Sequence, residues 1–225
     1  MNFLKKLIRL VFGLFVFSIA IVLTIHSQLG ATPWDVLHLG ITNYSTLSLG
    51  QISQIVGIVV LLLCVLLGEI PGVATVLNMY LVGLFIDLIR DYNLIPLASS
   101  LGQQIFMLSL GLYLFGWGTY FYMGAGLGSG PRDGLMVGLL KKTKQPVWKI
   151  RAILETSVLV TGYFMGGLVG IGTFLAAFLI GVSIQHVYTL MKEDPAQIQH
   201  ISIKDYYYSL FKKARFAKDN LKETL

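Results

Sequence analysis

Gly30-Ala31-Thr32-Pro33-Trp34-Asp35-Val36-Leu37-His38-Leu39-Gly40 returns 98 positions later as Gly128-Ser129-Gly130-Pro131-Arg132-Asp133-Gly134-Leu135-Met136-Val137-Gly138. The shared skeleton is G-x-x-P-x-D-x-L-x-x-G. Proline suits the first turn of a helix, where its missing N–H costs nothing. Thr32 stands where an N-cap belongs, and Asp35 follows three residues later, a variant of the capping box with Asp in place of Glu. A helix from Pro33 to about Asn43 would be about 16 Å long at 1.5 Å per residue, too short to cross a bilayer. It is expected as a re-entrant or interfacial half-helix. The copy predicts a second one from Pro131 to about Lys142, with Gly130 in place of the capping threonine.

The repeat reaches well beyond the motif. Residues 13–88 align with 111–186 without a gap, and 20 of the 76 pairs are identical. Apolar composition alone would match leucines and valines. It would not bring Gly13/Gly111, Gly30/Gly128, Gly40/Gly138, Gly68/Gly166, Gly72/Gly170, Gly83/Gly181, both prolines and both aspartates into one register. An internal duplication accounts for all of them.

Hydrophobic residues make up 55% of the 225 and charged residues only 12%, about half the share of a soluble domain. That deficit marks an integral membrane protein. Six apolar segments are long enough to span, near 7–27, 50–68, 71–90, 103–124, 147–166 and 168–191. In lipid the backbone must satisfy itself, so these are helices, and period-two alternation, the mark of a β-barrel, is absent. The expected fold is an all-α membrane protein of six transmembrane helices. They form two three-helix inverted-topology repeats, residues 1–98 and 99–191, each with a half-helix (33–43 and 131–142) after its first crossing. Three crossings per repeat put the second copy into the membrane from the opposite side. With a cytoplasmic N-terminus, 16 of the 17 Lys and Arg fall on inside loops, and only Arg90 lies outside, the positive-inside pattern. A parallel repeat with eight crossings is the alternative; inverted repeats would put Thr46 and Thr143 on opposite sides. Residues 192–225 read as a basic, amphipathic cytoplasmic tail.

Cys64 is the sole cysteine and lies in an apolar run, so neither an internal disulfide nor a thiolate metal cluster is expected. No H-E-x-x-H, G-x-S-x-G or P-loop is present, so no enzyme, metal site or cofactor is expected. No basic domain stands clear of the apolar segments, which argues against a nucleic-acid partner. Asp35 and Asp133 are the leading candidates for substrate contact, at the starts of broken helices where inverted-repeat carriers bind their cargo. Equally, each could do no more than satisfy free N–H groups at a buried helix start. Where the copies differ, Trp34 matches Arg132, His38 matches Met136 and Asn78 matches Ala176. Trp34, Arg132, His38 and Asn78 therefore join the candidate substrate-binding set. Gly30, Pro33, Gly40, Gly128, Pro131 and Gly138 are structural. Three further acidic residues are expected to be local: Asp87 paired with Arg90, Glu155 with Arg151, and Glu69 solvated in its hairpin.

The stretches Leu29–Leu37 and Gly126–Leu135 resemble the two signature loops of the YczE-type, YitT-related family of bacterial integral membrane proteins. The resemblance runs from about residue 5 to 190 and leaves the tail outside. It implies six helices and a bacterial cytoplasmic membrane; the charge pattern is what places both termini on the cytoplasmic side. The expected function is a small secondary transporter or exporter of an unidentified small molecule, working by alternating access, its partners being the lipid bilayer, that substrate and, given so few helices, a second copy in a homodimer. The alternative is a non-transporting scaffold or regulator that binds a partner at its basic cytoplasmic face.

Overall fold

The computed structural model describes residues 2–193; the expected tail lies outside them from residue 194 onward. The described residues form eight helices and no strand: α1 Phe3–His26, α2 Pro33–Thr42, α3 Leu49–Leu66, α4 Val73–Asp91, α5 Leu101–Met123, α6 Pro131–Thr143, α7 Val147–Phe164 and α8 Ile171–Met191. Five of them, α1, α3, α4, α5 and α8, are long and apolar enough to cross a membrane. The sixth expected span, α7, has the length, but Lys149, Arg151 and Glu155 charge its first half. Large apolar side chains such as Leu66, Phe164 and Phe178 point outward. An apolar exterior of that kind suits lipid and would be costly in water.

Helices α1 and α5 pack against each other at the centre, with α4 against α1 and α8 against α5. Gly13 meets the backbone of Tyr122, and its counterpart Gly111 meets Ala20 and Thr24, so the two central helices approach closely. Around this core each short helix lies on the other half of the chain: α2 against α7, and α6 against α3.

The motif loops make these cross-contacts, and they make them twice. Leu29 O accepts from Gly172 N at 2.7 Å, and Leu127 O accepts from Ala74 N at 2.9 Å. These are the same pair of positions shifted by 98. Gly30 sits at φ 129° and Gly128 at φ 128°, a region that residues with a Cβ rarely adopt. A Cβ on Gly30 would lie 2.7 Å from Thr173 N, and one on Gly128 would lie 2.8 Å from Gly72 Cα. Each loop thus presses bare backbone onto the start of the other half's last helix.

The halves differ at one seam. Helix α3 packs along α4, whereas α7 and α8 show no comparable packing. Asp87 holds the first seam: its carboxylate accepts from Ser48 Oγ and, at 2.8 Å, from Gly50 N. Expected to pair with Arg90, Asp87 instead caps α3 from a neighbouring helix. Free N–H groups at a helix start outcompete a partner on the exposed side of its own helix. The counterparts of Gly50, Gly83 and Asp87 are Trp148, Gly181 and Gln185. Trp148 is 71% exposed and nothing lies within 4 Å of where a Cβ on Gly181 would be. Asp87→Ala is expected to cost about 2 kcal/mol, the worth of charged hydrogen bonds, read as a lower unfolding temperature in detergent. Gln185→Ala, on an exposed side chain, is expected to leave that temperature unchanged.

Candidate functional site

The polar residues of the first motif gather at the start of α2. Thr32 is the N-cap, its side chain accepting from Asp35 N at 3.4 Å. The capping box is altered, because the Asp35 carboxylate takes the Thr32 hydroxyl rather than the Thr32 N–H. His38, one turn on, puts Nδ1 3.5 Å from Asp35 Oδ1. Asp35 and His38 are each only 2% exposed. So deep a carboxylate is stable only with such partners.

Across from this trio lies the second motif. The Arg132 guanidinium sits 4.7 Å from the centre of the Trp34 ring, a cation–π contact worth about 0.5–2 kcal/mol. Arg132 is also within electrostatic reach of Asp35, His38 and Tyr122. The far edge of Trp34 donates its indole N–H to Glu155 Oε1 at 3.3 Å. Glu155, expected to pair with Arg151 on its own helix, therefore reaches α2. Arg151 is exposed, and a solvated ion pair is worth little beside a partly buried bond. Sequence reasoning missed Glu155 for that reason.

The second motif gathers a different polar group. Asp133 engages the hydroxyl of the buried Tyr122. A Cβ on Gly130 would lie 3.6 Å from both Asp133 Oδ2 and the Tyr122 hydroxyl, and 3.9 Å from Asn78 Nδ2. Gly130, the residue that replaces the capping threonine, thus lies where a Cβ would be in ordinary contact with three polar groups. Tyr122 was not among the expected residues, and nothing in its sequence neighbourhood marked it. Of the expected set, Trp34, Asp35, His38 and Arg132 come together, while Asp133 and Asn78 both lie near Gly130.

Gly30, Pro33, Gly128 and Pro131 shape the two loops, and Gly40 packs against Gly162 of α7. Gly138 meets Leu67 and Glu69. Glu69 is not free in solvent: Lys141 Nζ lies 2.7 Å from its Oε1, tying the α3–α4 hairpin to α6.

A family model described as a family of unknown function, DUF6198, matches residues 4–189. The chain belongs to the DUF6198 family. Its relatives agree with the expected YczE-type resemblance. It is 36% identical over 175 residues to the uncharacterized membrane protein YczE of Bacillus subtilis, covering 77% of this chain and 80% of YczE. An uncharacterized protein of Haemophilus influenzae is 36% identical over 197 residues, 88% of each chain. The protein YyaS of Bacillus subtilis is 31% identical over 180 residues, 78% of this chain and 88% of YyaS. No solved structure matches. This DUF6198 member is therefore a membrane protein with several apolar helices, as its relative YczE is named.

Within this family member, Trp34 offers a separable test. Trp34→Phe keeps a ring beneath Arg132 and removes the donor to Glu155. It is expected to lower stability by about 1 kcal/mol, one hydrogen bond, whereas Trp34→Leu, which also loses the cation–π contact, is expected to cost more. Thermal unfolding of both variants in one detergent checks the order.

Proposed function

We propose that this protein is a small secondary transporter of a polar or charged small molecule, alternating access between two inverted repeats. The observation that carries it is the meeting of the two motif copies: Trp34, Asp35 and His38 from α2 face Arg132 from α6 and Glu155 from α7. Carriers built from inverted repeats place substrate where such broken helices converge. Buried ionisable groups inside a membrane bundle mark a pathway more often than a scaffold. In this reading α7 is the sixth crossing, its Glu155 turned toward the site and its Lys149 and Arg151 at the cytoplasmic end.

The unequal seams support the same mechanism. With the N-terminus cytoplasmic, the Asp87–Ser48 seam closes the outer side between α3 and α4. The matching seam between α7 and α8 would close the inner side, and it is unsealed. An inward-facing carrier has this asymmetry, and exchanging the two seams would face it outward. A homodimer could cover the exposed faces of α7 and α8. The rival reading, a scaffold binding through a basic cytoplasmic face, leans on residues 194–225, outside the described part.

Purified protein in liposomes, screened for counterflow with a panel of charged metabolites and cationic drugs, tests the proposal. Saturable movement of one class that is lost in Glu155→Gln supports it. No movement of any compound, together with a stoichiometric cytoplasmic partner recovered by crosslinking and lost on deleting 201–225, would replace it with the scaffold.

A further inference from the structure

Away from the motif loops, a second polar cluster joins the N-terminal part of α1 to the C-terminal ends of α5 and α8. Arg9 lies over the Tyr120 ring, its Cζ 4.7 Å from the ring centre. Glu193, just past the end of α8, accepts from the Tyr120 hydroxyl at 2.9 Å and stands 3.5 Å from Arg9 Nη2. Tyr188 stacks edge-on against Tyr120, ring centres 5.3 Å apart. Gly124 leaves room for the guanidinium: a Cβ there would overlap Arg9 Nη2.

Two donors in this cluster lack a hydrogen bond among the described residues. One is the hydroxyl of Tyr188, a residue 1% exposed; the other is the buried Arg9 Nη2. Arg9 Nη2 has a charge partner in Glu193 at 3.5 Å but no hydrogen bond, whereas the Tyr188 hydroxyl has neither; an orphaned buried donor costs roughly 1–3 kcal/mol, so a native protein ordinarily supplies an acceptor. Glu193 already marks the chemistry an acceptor would need, since its carboxylate takes the Tyr120 hydroxyl and pairs with Arg9. It is also replaceable: its side chain is 46% exposed and lies beyond the helix end.

We propose that Arg9, Tyr120 and Tyr188 form a binding site for a phosphate group at the cytoplasmic face, with Glu193 as the displaceable internal occupant. A tetrahedral phosphate has enough acceptor oxygens to meet Arg9 Nη2 and both tyrosine hydroxyls at once, which one carboxylate does not achieve here. Arginine and phosphate are well matched in geometry and charge, and basic pockets between helices on the cytoplasmic side receive lipid headgroups. The phosphate could belong to an anionic lipid or be free in solution. The site is separate from the proposed transport pathway, and its test does not depend on transport.

The full chain in mild detergent is titrated with phosphatidylglycerol, phosphatidylcholine and inorganic phosphate, binding being followed by native mass spectrometry and by unfolding temperature. Phosphatidylglycerol is expected to bind saturably and stabilise, with phosphatidylcholine weaker. Tyr188→Phe is expected to weaken that binding about tenfold, the worth of one hydrogen bond to a charged group, without lowering stability in the absence of lipid. Glu193→Gln is expected to tighten it. Equal protection by inorganic phosphate would identify a free-anion site; protection by the lipid alone would identify a headgroup site. Binding of all three that is absent, or unchanged in both Tyr188→Phe and Arg9→Gln, or lipid binding no stronger for phosphatidylglycerol than for phosphatidylcholine without protection by inorganic phosphate, overturns the proposal.

Discussion

Gly30→Val is expected to prevent the protein from accumulating in folded form, and Gly128→Val to do the same. Each glycine holds a φ near +128°, and forcing a β-branched residue there costs about 1–3 kcal/mol from the backbone alone. The new Cβ also meets main-chain atoms: Thr173 N at 2.7 Å in one copy, Gly72 Cα at 2.8 Å in the other. Backbone cannot rotate away as a side-chain tip can, so overpacking adds about 1–3 kcal/mol more. Both loops carry the contact between one half of the chain and the other, so the loss is expected to be global. The control is Gly181→Ala, where a Cβ meets nothing within 4 Å. Removing a mid-helix glycine there is expected to leave stability unchanged or to raise it by roughly 0.5–1 kcal/mol. Size-exclusion profiles after detergent extraction distinguish the outcomes. A monodisperse Gly30→Val protein with the parent's unfolding temperature would show that the loop is not the point on which the halves are joined.

On the transport reading, Asp35→Asn is expected to slow substrate movement by roughly two- to thirtyfold while the protein still folds. The amide keeps the shape and can still accept the Thr32 hydroxyl through its oxygen. What disappears is the negative charge that faces His38 and lies within reach of Arg132. A hydrogen bond to a charged group is worth about 1.5–3 kcal/mol against about 1 for a neutral one, and each 1.4 kcal/mol is tenfold. Asp35→Ala separates structure from charge. It strands the Thr32 hydroxyl and His38 in a buried site, so it is expected to destabilise as well, by about 1–3 kcal/mol. Counterflow rates at equal protein content, read beside unfolding temperatures, give both quantities. If Asp35→Asn and Asp133→Asn both move substrate at the parent rate, these carboxylates act as helix caps and the pathway runs elsewhere.

Several side chains found partners that local spacing did not point to. Asp87 and Arg90, Arg151 and Glu155 stand one turn apart, the spacing of a helical ion pair. Asp87 instead caps α3 at Ser48 and Gly50, and Glu155 takes the indole N–H of Trp34, 121 positions away. Glu69, expected in solvent, is held by Lys141. An ion pair on an exposed helix face returns little free energy. An unpaired donor at a buried helix start or indole edge costs much more, so the distant partner wins. Arg9 illustrates the same limit. As a sequence feature it is one of the charges on which the expected orientation rests, and only packing brings it onto Tyr120 and beside Tyr188.

The amino-acid sequence alone determined the helical membrane class, the short helices opening at Pro33 and Pro131 and the register of 98 residues between the halves. Those properties depend on hydrophobic length, on proline and glycine backbone preferences and on repetition, all of which are local or countable. It also singled out Trp34, Asp35, His38 and Arg132 by their place in or beside the repeated motif. Tertiary structure alone decided that Trp34 lies under Arg132 and against Glu155, that Tyr122 stands beside Asp133, and that α3 closes on α4 while α7 and α8 show no comparable packing. Each of those contacts joins residues from separate helices. Their free energy comes from desolvating and pairing groups that the fold brings together, and no spacing along the chain encodes it.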